Sequence, residues 1–193
     1  MAGYEFRIAE VAERDTVLNT LMLAFSTDPC VRYMFPTPDA YIPGYRRLAD
    51  ALGGAGLAHG AAYLAGDGAA AALWLPPGVQ SDGEAAGAVL GEFAPPDRLE
   101  VLGQVGEDMR RYHPHEPHWY LPMIGVEPTP QRRGLGAELM RHAVARCDEE
   151  GALAYLESSN PRNMSLYLRR ADPDLPDHLE AVAQIERHVP GVR

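Results

Sequence analysis

The stretch that decides the fold is Gln131-Arg132-Arg133-Gly134-Leu135-Gly136-Ala137. An apolar run at 119–126 precedes it, and an amphipathic run at 135–147 begins inside it. A strand that turns through glycines into a helix presents backbone N–H groups at the positive end of the helix dipole. Because glycine has no Cβ, phosphate oxygens can approach this backbone closely. The stretch therefore predicts a pocket for a phosphate or pyrophosphate.

Two common phosphate-binding loops do not fit this stretch. A Walker loop ends in Gly-Lys-Ser/Thr, and the chain contains no lysine. A dinucleotide-binding loop requires a third glycine after the pair, and Leu139 occupies that position. The phosphate would have to be held by another kind of loop.

Composition limits the classes of function. With 193 residues the chain suits one domain, and a net charge of −10 argues against nucleic acid or an anionic membrane as a partner. The same charge is compatible with a cationic amine substrate. The lack of lysine excludes Schiff-base chemistry by that side chain. We interpret Cys30 and Cys147 as buried thiols of a reducing compartment. Without an apolar span or leader-like segment, a soluble cytoplasmic protein is expected.

Hydrophobic periodicity predicts alternating strands and helices, which is typical of an α/β domain. The predicted strands cover 4–8, 61–65, 69–75, 118–126 and 153–157. The predicted helices cover 13–25, 38–57, 82–93, 97–112, a segment from 135 that ends at Gly151, and 160–170, with a short turn or helix at 28–34. We assign residues 1–193 to a single domain. A helical insert at about 81–112 should cover one end of the sheet and help to wall the substrate site.

The loop resembles the acyl-CoA loop of the GNAT superfamily of N-acetyltransferases, whose pattern is Gln/Arg-x-x-Gly-x-Gly/Ala. Gln131, Gly134 and Gly136 match that pattern. The segments 119–126 and 156–167 are similar to puromycin N-acetyltransferase and its relatives, so the motifs are closest to that branch. The resemblance extends over most of the chain.

The resemblance implies a mixed, mostly antiparallel central sheet that splays at its middle strand and is flanked by helices. Acetyl-CoA would be the co-substrate, and no metal would be needed. Its pantetheine would enter the gap and pair with Met123, Ile124, Gly125 and Val126, where a β-bulge is expected. Its pyrophosphate would be held by Gln131, Arg132, Arg133, Gly134, Leu135, Gly136 and Ala137, with further contacts from Asn160 and Asn163.

The resemblance also assigns the catalytic groups. Tyr167 would protonate the leaving thiolate as a general acid, although a core-facing aromatic is the alternative. Relatives often carry a glutamate at the position of Tyr120, which puts a carboxylate base on that strand in doubt. The candidate bases are Glu116, His118, Tyr120 and Glu157. We prefer Glu157, for which a salt-bridged or solvated role is the alternative.

The segment His113-Pro114-His115-Glu116-Pro117-His118 resembles a metal site only in composition. Its two prolines and the lack of helical spacing argue against a three-histidine cage. We interpret it as a solvated loop near the acceptor site.

Residues 171–193 depart from the pattern of relatives, because 171–178 replaces a Gly-Phe corner and no final strand is evident. A missing strand would leave a sheet edge that must be covered or paired with another chain. We therefore predict a homodimer joined through this terminus. The alternative is an altered terminus with reduced activity.

The resemblance implies an acetyl-CoA-dependent N-acetyltransferase that acts on a primary amine of a small molecule. The amine would attack the thioester directly in a ternary complex, and a backbone N–H of Ile124 or Val126 would stabilise the oxyanion. An aminonucleoside antibiotic as acceptor follows from the resemblance alone. One alternative is an acetyltransferase for protein lysines or N-termini, with a shallow acidic groove. The other is a non-catalytic module that binds or senses acyl-CoA.

Overall fold

Five strands form one sheet in the computed structural model, which describes residues 4–129 and 134–158. In chain order they are β1 (Phe6–Ile8), β2 (Ala62–Ala65), β3 (Ala70–Leu75), β4 (His118–Val126) and β5 (Leu153–Leu156). They lie side by side in that order. Strands β1 to β4 pair with one another in antiparallel fashion, and β5 runs parallel to β4. The expected fold class, a mostly antiparallel mixed sheet flanked by helices, is confirmed.

Seven α-helices lie within the described residues. They are α1 (Arg14–Ala24), α2 (Pro29–Met34), α3 (Pro38–Gly53), α4 (Ala55–Ala58), α5 (Gly83–Phe93), α6 (Leu99–Tyr112) and α7 (Leu135–Glu150), with short 3-10 turns at Val11–Glu13 and Pro96–Arg98. None of them is long and apolar enough to cross a membrane. The helix predicted over 38–57 is divided at Gly54 into α3 and α4. The predicted helix at 160–170 and the segment 171–193 lie outside the described residues.

The sheet separates two hydrophobic cores. On one face, α1 and α3 pack against a core that includes Leu64, Leu73 and Met123. On the other face, α7 packs against a core that includes Trp74 and Trp119. Because both faces of β2 and β3 are covered, every residue of these strands is buried. This burial explains why alanine-rich segments of low strand propensity still form the centre of the sheet.

Both cysteines are buried thiols, as expected. Cys30 lies in α2 and Cys147 in α7. Burial raises the pKa of Cys30 to about 12 and that of Cys147 to about 11. Neither thiol is therefore a nucleophile at neutral pH.

A β-bulge interrupts the pairing of β3 with β4. Leu73 pairs with Met123, whereas Leu75 pairs with Tyr120, so Leu121 and Pro122 together stand opposite Trp74. The bulge was expected at Met123–Val126, and that position was wrong. Proline has no N–H to give to the ladder, so it is tolerated where pairing is already interrupted.

The bulge reverses the alternation of side chains along β4. Before it, Trp119 and Leu121 belong to the core beneath α7. After it, Met123 joins the opposite core, and Ile124 and Val126 pack against the α7 core. One extra residue in the strand produces this change because side chains alternate with a period of two.

The insert at 81–112 consists of α5 and α6. Helix α5 packs on α3, where Arg47 pairs with Glu92 and lies over the ring of Phe93, and it adds Ala86 and Val89 to the core of α1 and α3. Helix α6 ends at Tyr112, so the segment 113–118, which we call the histidine loop, begins directly after it. That the insert walls the substrate site stays a prediction.

We expect Gly125→Ala to lower the stability of the fold. A Cβ built on Gly125 would lie 2.5 Å from the Cβ of Ala24, because α1 crosses β4 at this point. Overpacking of this kind costs about 1–3 kcal/mol in the free energy of unfolding, which urea titration measures. Gly87→Ala is the control, since Gly87 is exposed in α5 with open space around it, and it should stabilise by about 0.5–1 kcal/mol. Equal effects of the two changes would contradict the close approach of α1.

Candidate active site

Strands β4 and β5 separate at the bulge. Their pairing runs from His118 opposite Leu153 to Leu121 opposite Leu156, and β5 ends there. Beyond this point the segment Met123–Val126 continues in register with β3. Within the described residues, β5 pairs with β4 no further than Leu121. We refer to the side of Met123–Val126 that faces away from β3 as the gap, and Glu157 directly follows the end of β5.

The backbone of Ile124 and Val126 is directed toward this gap. In an antiparallel ladder, pairs that exchange hydrogen bonds alternate with pairs that do not. The N–H of Glu127 donates to the carbonyl of Ala69 at 2.9 Å, which fixes the alternation for this register. Consequently the N–H groups of Met123 and Gly125 point to β3, whereas those of Ile124 and Val126 point away from it.

Helix α7 begins just beyond the C-terminal end of β4. Gly134 precedes it with a left-handed backbone (φ +81°), and no described side chain caps the helix at this residue. Leu135 is buried and anchors the first turn. Further along, Arg146 lies over the ring of Trp119 at 4.6 Å, and Glu150 accepts the indole N–H at 2.8 Å. These contacts fix the C-terminal half of α7 against β4, and Leu135 fixes its first turn in the core. The N-terminus that a pyrophosphate site requires follows β4 directly in the chain.

Glu157 is buried at the point where the two strands part. Its side chain is only 7% exposed. The Tyr120 hydroxyl donates to Oε2 at 2.6 Å, and the Tyr155 hydroxyl donates to Oε1 at 2.9 Å. The Nδ1 atom of His113 lies 3.8 Å from Oε1. One hydroxyl donor for each oxygen offsets part of the cost of burying the carboxylate.

The environment of the two tyrosines makes them donors rather than bases. Burial, with the adjacent negative charge of Glu157, raises the pKa of Tyr120 well above its ordinary value. Burial and Glu157 raise the pKa of Tyr155 as well. Tyr120 was among the candidate bases, and a phenol held in its protonated form cannot serve as one at neutral pH. This environment therefore argues against Tyr120 as the base.

The two other candidates from the histidine loop take part differently. Glu116 has an exposed side chain, and its carbonyl accepts a hydrogen bond from Nδ1 of His118 at 2.7 Å. The Nε2 atoms of His118 and His113 lie 3.0 Å apart. The loop 113–118 is therefore folded onto the cluster formed by His113, Tyr120, Tyr155 and Glu157, instead of being simply solvated. Within residues 4–129 and 134–158, no group of three or more potential ligands could hold a metal ion.

Two members of this cluster had no individual role predicted from the sequence: Tyr155 was not named, and His113 was named only within the segment 113–118. Tyr155 precedes Glu157 by two residues on a predicted strand, so strand alternation could have placed them on one side. No comparable signal exists for His113, because its position depends on how the chain turns after α6. The remaining predicted contacts, Gln131 to Arg133, Asn160, Asn163 and Tyr167, lie outside the described residues.

Comparison with known proteins agrees with this geometry. The Acetyltransferase (GNAT) family model matches residues 45–171, and the chain belongs to this family. It is 26% identical over 168 residues to Uncharacterized N-acetyltransferase C550.08 of Schizosaccharomyces pombe, and the match covers 77% of this chain and 66% of that protein. The chain thus spans slightly less than two-thirds of the length of this relative.

Solved structures show the same fold. One is histone acetyltransferase HPA2 and related acetyltransferase from Corynebacterium glutamicum, with a TM-score of 0.60, 24% identity, and coverage of 86% of this chain and 83% of that one. Another is the Drosophila melanogaster polyamine N-acetyltransferase, with a TM-score of 0.56, 17% identity, and coverage of 86% and 81%. The expected superfamily is therefore confirmed. The special closeness to puromycin N-acetyltransferase stays a prediction.

We expect Tyr120→Phe to weaken the loss of stability at alkaline pH. The pKa of Tyr120 is raised in the folded chain, so above about pH 10 the unfolded chain loses a proton that the folded chain keeps. Above about pH 10, each tyrosine whose pKa is raised by folding lowers the free energy of unfolding by up to about 1.4 kcal/mol per pH unit. The variant has one such tyrosine fewer, so its free energy of unfolding should fall less steeply with pH. Urea titrations at about pH 9 and about pH 11 measure this slope. An unchanged slope would contradict the burial of the hydroxyl.

Proposed function

We propose that the protein is an acetyl-CoA-dependent N-acetyltransferase that transfers an acetyl group to a primary amine of a small molecule. The observation that carries the proposal is the gap beside β4, with Glu157 buried at its edge and the N-terminus of α7 beyond its end. A long thioester with a pyrophosphate at one end fits such an arrangement. The direction of the Ile124 N–H, away from β3 and toward the gap, supports strand-like pairing of pantetheine.

The proposed chemistry uses groups on both sides of the gap. The amine nitrogen attacks the thioester carbonyl, and the backbone N–H of Ile124 or Val126 stabilises the oxyanion that develops. Glu157 accepts the proton that the amine loses, directly or through a water. Tyr167 protonates the thiolate as it leaves. Holding amine and thioester together in one crevice supplies much of the rate.

The proposed acceptor is a cationic amine. A net charge of −10 and the buried carboxylate at the gap favour a cation over an anion. Relatives of the same fold include one named for polyamines and one named for histones. A small amine is preferred because Glu157 is almost enclosed, which suits a narrow acceptor better than a protein surface. An aminonucleoside antibiotic remains one member of this broader class.

The acetyl-CoA-binding site, which we call the donor site, is tested by thermal melting with and without acetyl-CoA. At about a hundred times the dissociation constant, binding adds roughly 2.7 kcal/mol, which raises the Tm of a chain of this length by on the order of 5–10 °C. We expect Gly134→Val to abolish the shift, because Gly134 has φ +81° at the start of α7. Gly78→Val is the matched control, since Gly78 has φ +86° and open space but lies in a remote turn. No shift in the unsubstituted protein would overturn the donor site.

The role of Glu157 as the base is tested by measuring the rate of CoA thiol release from acetyl-CoA. The acceptors in this assay are a panel of amines that includes spermidine, agmatine, tryptamine and a lysine peptide. We expect Glu157→Gln to lower kcat by about 10²–10⁴-fold without changing the acetyl-CoA melting shift, because the amide cannot accept the proton. Glu149→Gln, on the exposed face of α7, removes the same charge and should change neither quantity. Full turnover by Glu157→Gln would exclude this carboxylate as the base. Turnover with the peptide alone would favour the protein-acetylating alternative. A melting shift with acetyl-CoA but no thiol release with any amine would indicate a sensor or binding module.

A further inference from the structure

His113 lies at the centre of the aromatic cluster around Glu157. It caps the end of α6, where its N–H donates to the carbonyl of Met109 at 3.0 Å. Three rings contact it edge-on, with centroid distances of 4.8 Å to His118, 4.8 Å to Tyr120 and 4.9 Å to Tyr155. These contacts restrain the ring so that its two nitrogens have fixed directions. One nitrogen faces Glu157 and the other faces His118.

The proton positions on the two imidazoles follow from their partners. A carbonyl oxygen can only accept, so Nδ1 of His118 carries a proton and donates it to Glu116. In a neutral His118 ring, Nε2 then has a lone pair and accepts the hydrogen bond from Nε2 of His113. The proton of neutral His113 is consequently on Nε2. Its Nδ1 has a lone pair that faces Oε1 of Glu157 at 3.8 Å.

One place for an additional proton remains between His113 and Glu157. Both tyrosine hydroxyls already donate to the carboxylate, and the high pKa of each phenol keeps its own proton in place. A lone pair and a carboxylate oxygen that face each other repel, whereas a proton between them joins an imidazolium to a carboxylate. If the proton is instead carried by His118, the hydrogen bond between the rings reverses, and Nδ1 of His113 still carries a proton that faces Oε1 of Glu157 at 3.8 Å. Either way the cluster takes up a single proton.

We propose that His113 is a positioning residue that stores, beside Glu157, the proton lost by the attacking amine. This inference rests on the proposed function. The attacking nitrogen is in its neutral form, and its lone pair forms the C–N bond. One N–H bond breaks, and the electron pair of that bond stays on nitrogen. The proton passes to Oε1 of Glu157 and then to Nδ1 of His113. The C–S bond breaks, its electron pair leaves on the CoA sulfur, and the thiolate takes a proton from Tyr167, which solvent replaces.

The surroundings of His113 favour this role. The groups that face it are His118 and Tyr120 of β4, Tyr155 of β5, and Glu157. Among the described residues, Glu157 is the only charged side chain within ion-pair distance of it. The His113 side chain is 34% exposed, so the stored proton can return to water after each turnover.

The hydrogen arrangement is tested first, by nitrogen-15 NMR of the histidine rings in the folded protein. We expect neutral His113 to carry its proton on Nε2 and neutral His118 to carry it on Nδ1. This measurement needs neither acetyl-CoA nor an amine. The opposite tautomer at either ring would overturn the proposal, whatever the activity of the protein.

The role in turnover is tested with His113→Gln, His113→Phe and His115→Gln. The glutamine amide can still donate to His118 but cannot take up a proton, and phenylalanine keeps only the ring packing. We expect both His113 variants to lower kcat with acetyl-CoA and spermidine by on the order of tenfold to a hundredfold, with KM nearly unchanged. The pH dependence of kcat should change shape in both. His115 is exposed in the same loop, and its variant should behave as the unsubstituted protein does.

The outcomes separate the two proposals. Wild-type kcat and an unchanged pH profile in His113→Gln would overturn the role of His113 while leaving Glu157 as the base. Full activity in His113→Gln but not in His113→Phe would assign His113 to hydrogen bonding alone and would also overturn proton storage. No turnover with any amine would overturn the proposed function, and with it the catalytic use of His113, even if the tautomers are those expected.

Discussion

The bulge at Leu121 and Pro122 is the constraint on which the rest of the site depends. One additional residue in β4 changes which side chains enter which core, so Met123 packs beneath α1 and α3 while Leu121 packs beneath α7. The pairing of β4 with β5 ends at the same level. The bulge therefore produces the change of packing, and it lies at the level where the described pairing of β4 with β5 ends.

The buried carboxylate of Glu157 is the second constraint. An ionised group with an exposed fraction of 7% is costly unless hydrogen bonds replace its water. Here the replacement comes from both strands, because Tyr120 of β4 and Tyr155 of β5 pair across the ladder and each gives a hydroxyl to Glu157. The carboxylate is thus oriented before any substrate arrives. Pre-oriented groups of this kind need no reorganisation during the reaction.

Much of the fold could be predicted from the sequence, because it depends on patterns that are local along the chain. The apolar run at 119–126 located β4, whose predicted bounds 118–126 are the observed ones, and Gly151 ended α7 as expected. The position of the bulge could not be predicted in this way, because a bulge depends on how two strands pair. Nothing in the sequence around Trp74 indicates that two residues of β4 stand opposite it. Likewise, Glu157 could be identified from its motif, whereas His113 reaches it only through the turn after α6. Local patterns thus identify elements, and contacts between distant elements complete the site.

The same geometry explains how the chain can carry Tyr120 at a position where, by the resemblance, relatives often carry a glutamate. A glutamate at that position, as the resemblance implies for many relatives, would lie across the ladder from Tyr155 and beside Glu157. Two carboxylates in one buried cluster repel, and one of them would have to be protonated. A tyrosine removes this conflict, because its hydroxyl donates to the remaining carboxylate and stays protonated through neutral pH. The carboxyl group nearest the gap is therefore carried at the end of β5 instead of on β4, and the loss of the strand glutamate does not by itself argue for the loss of a base.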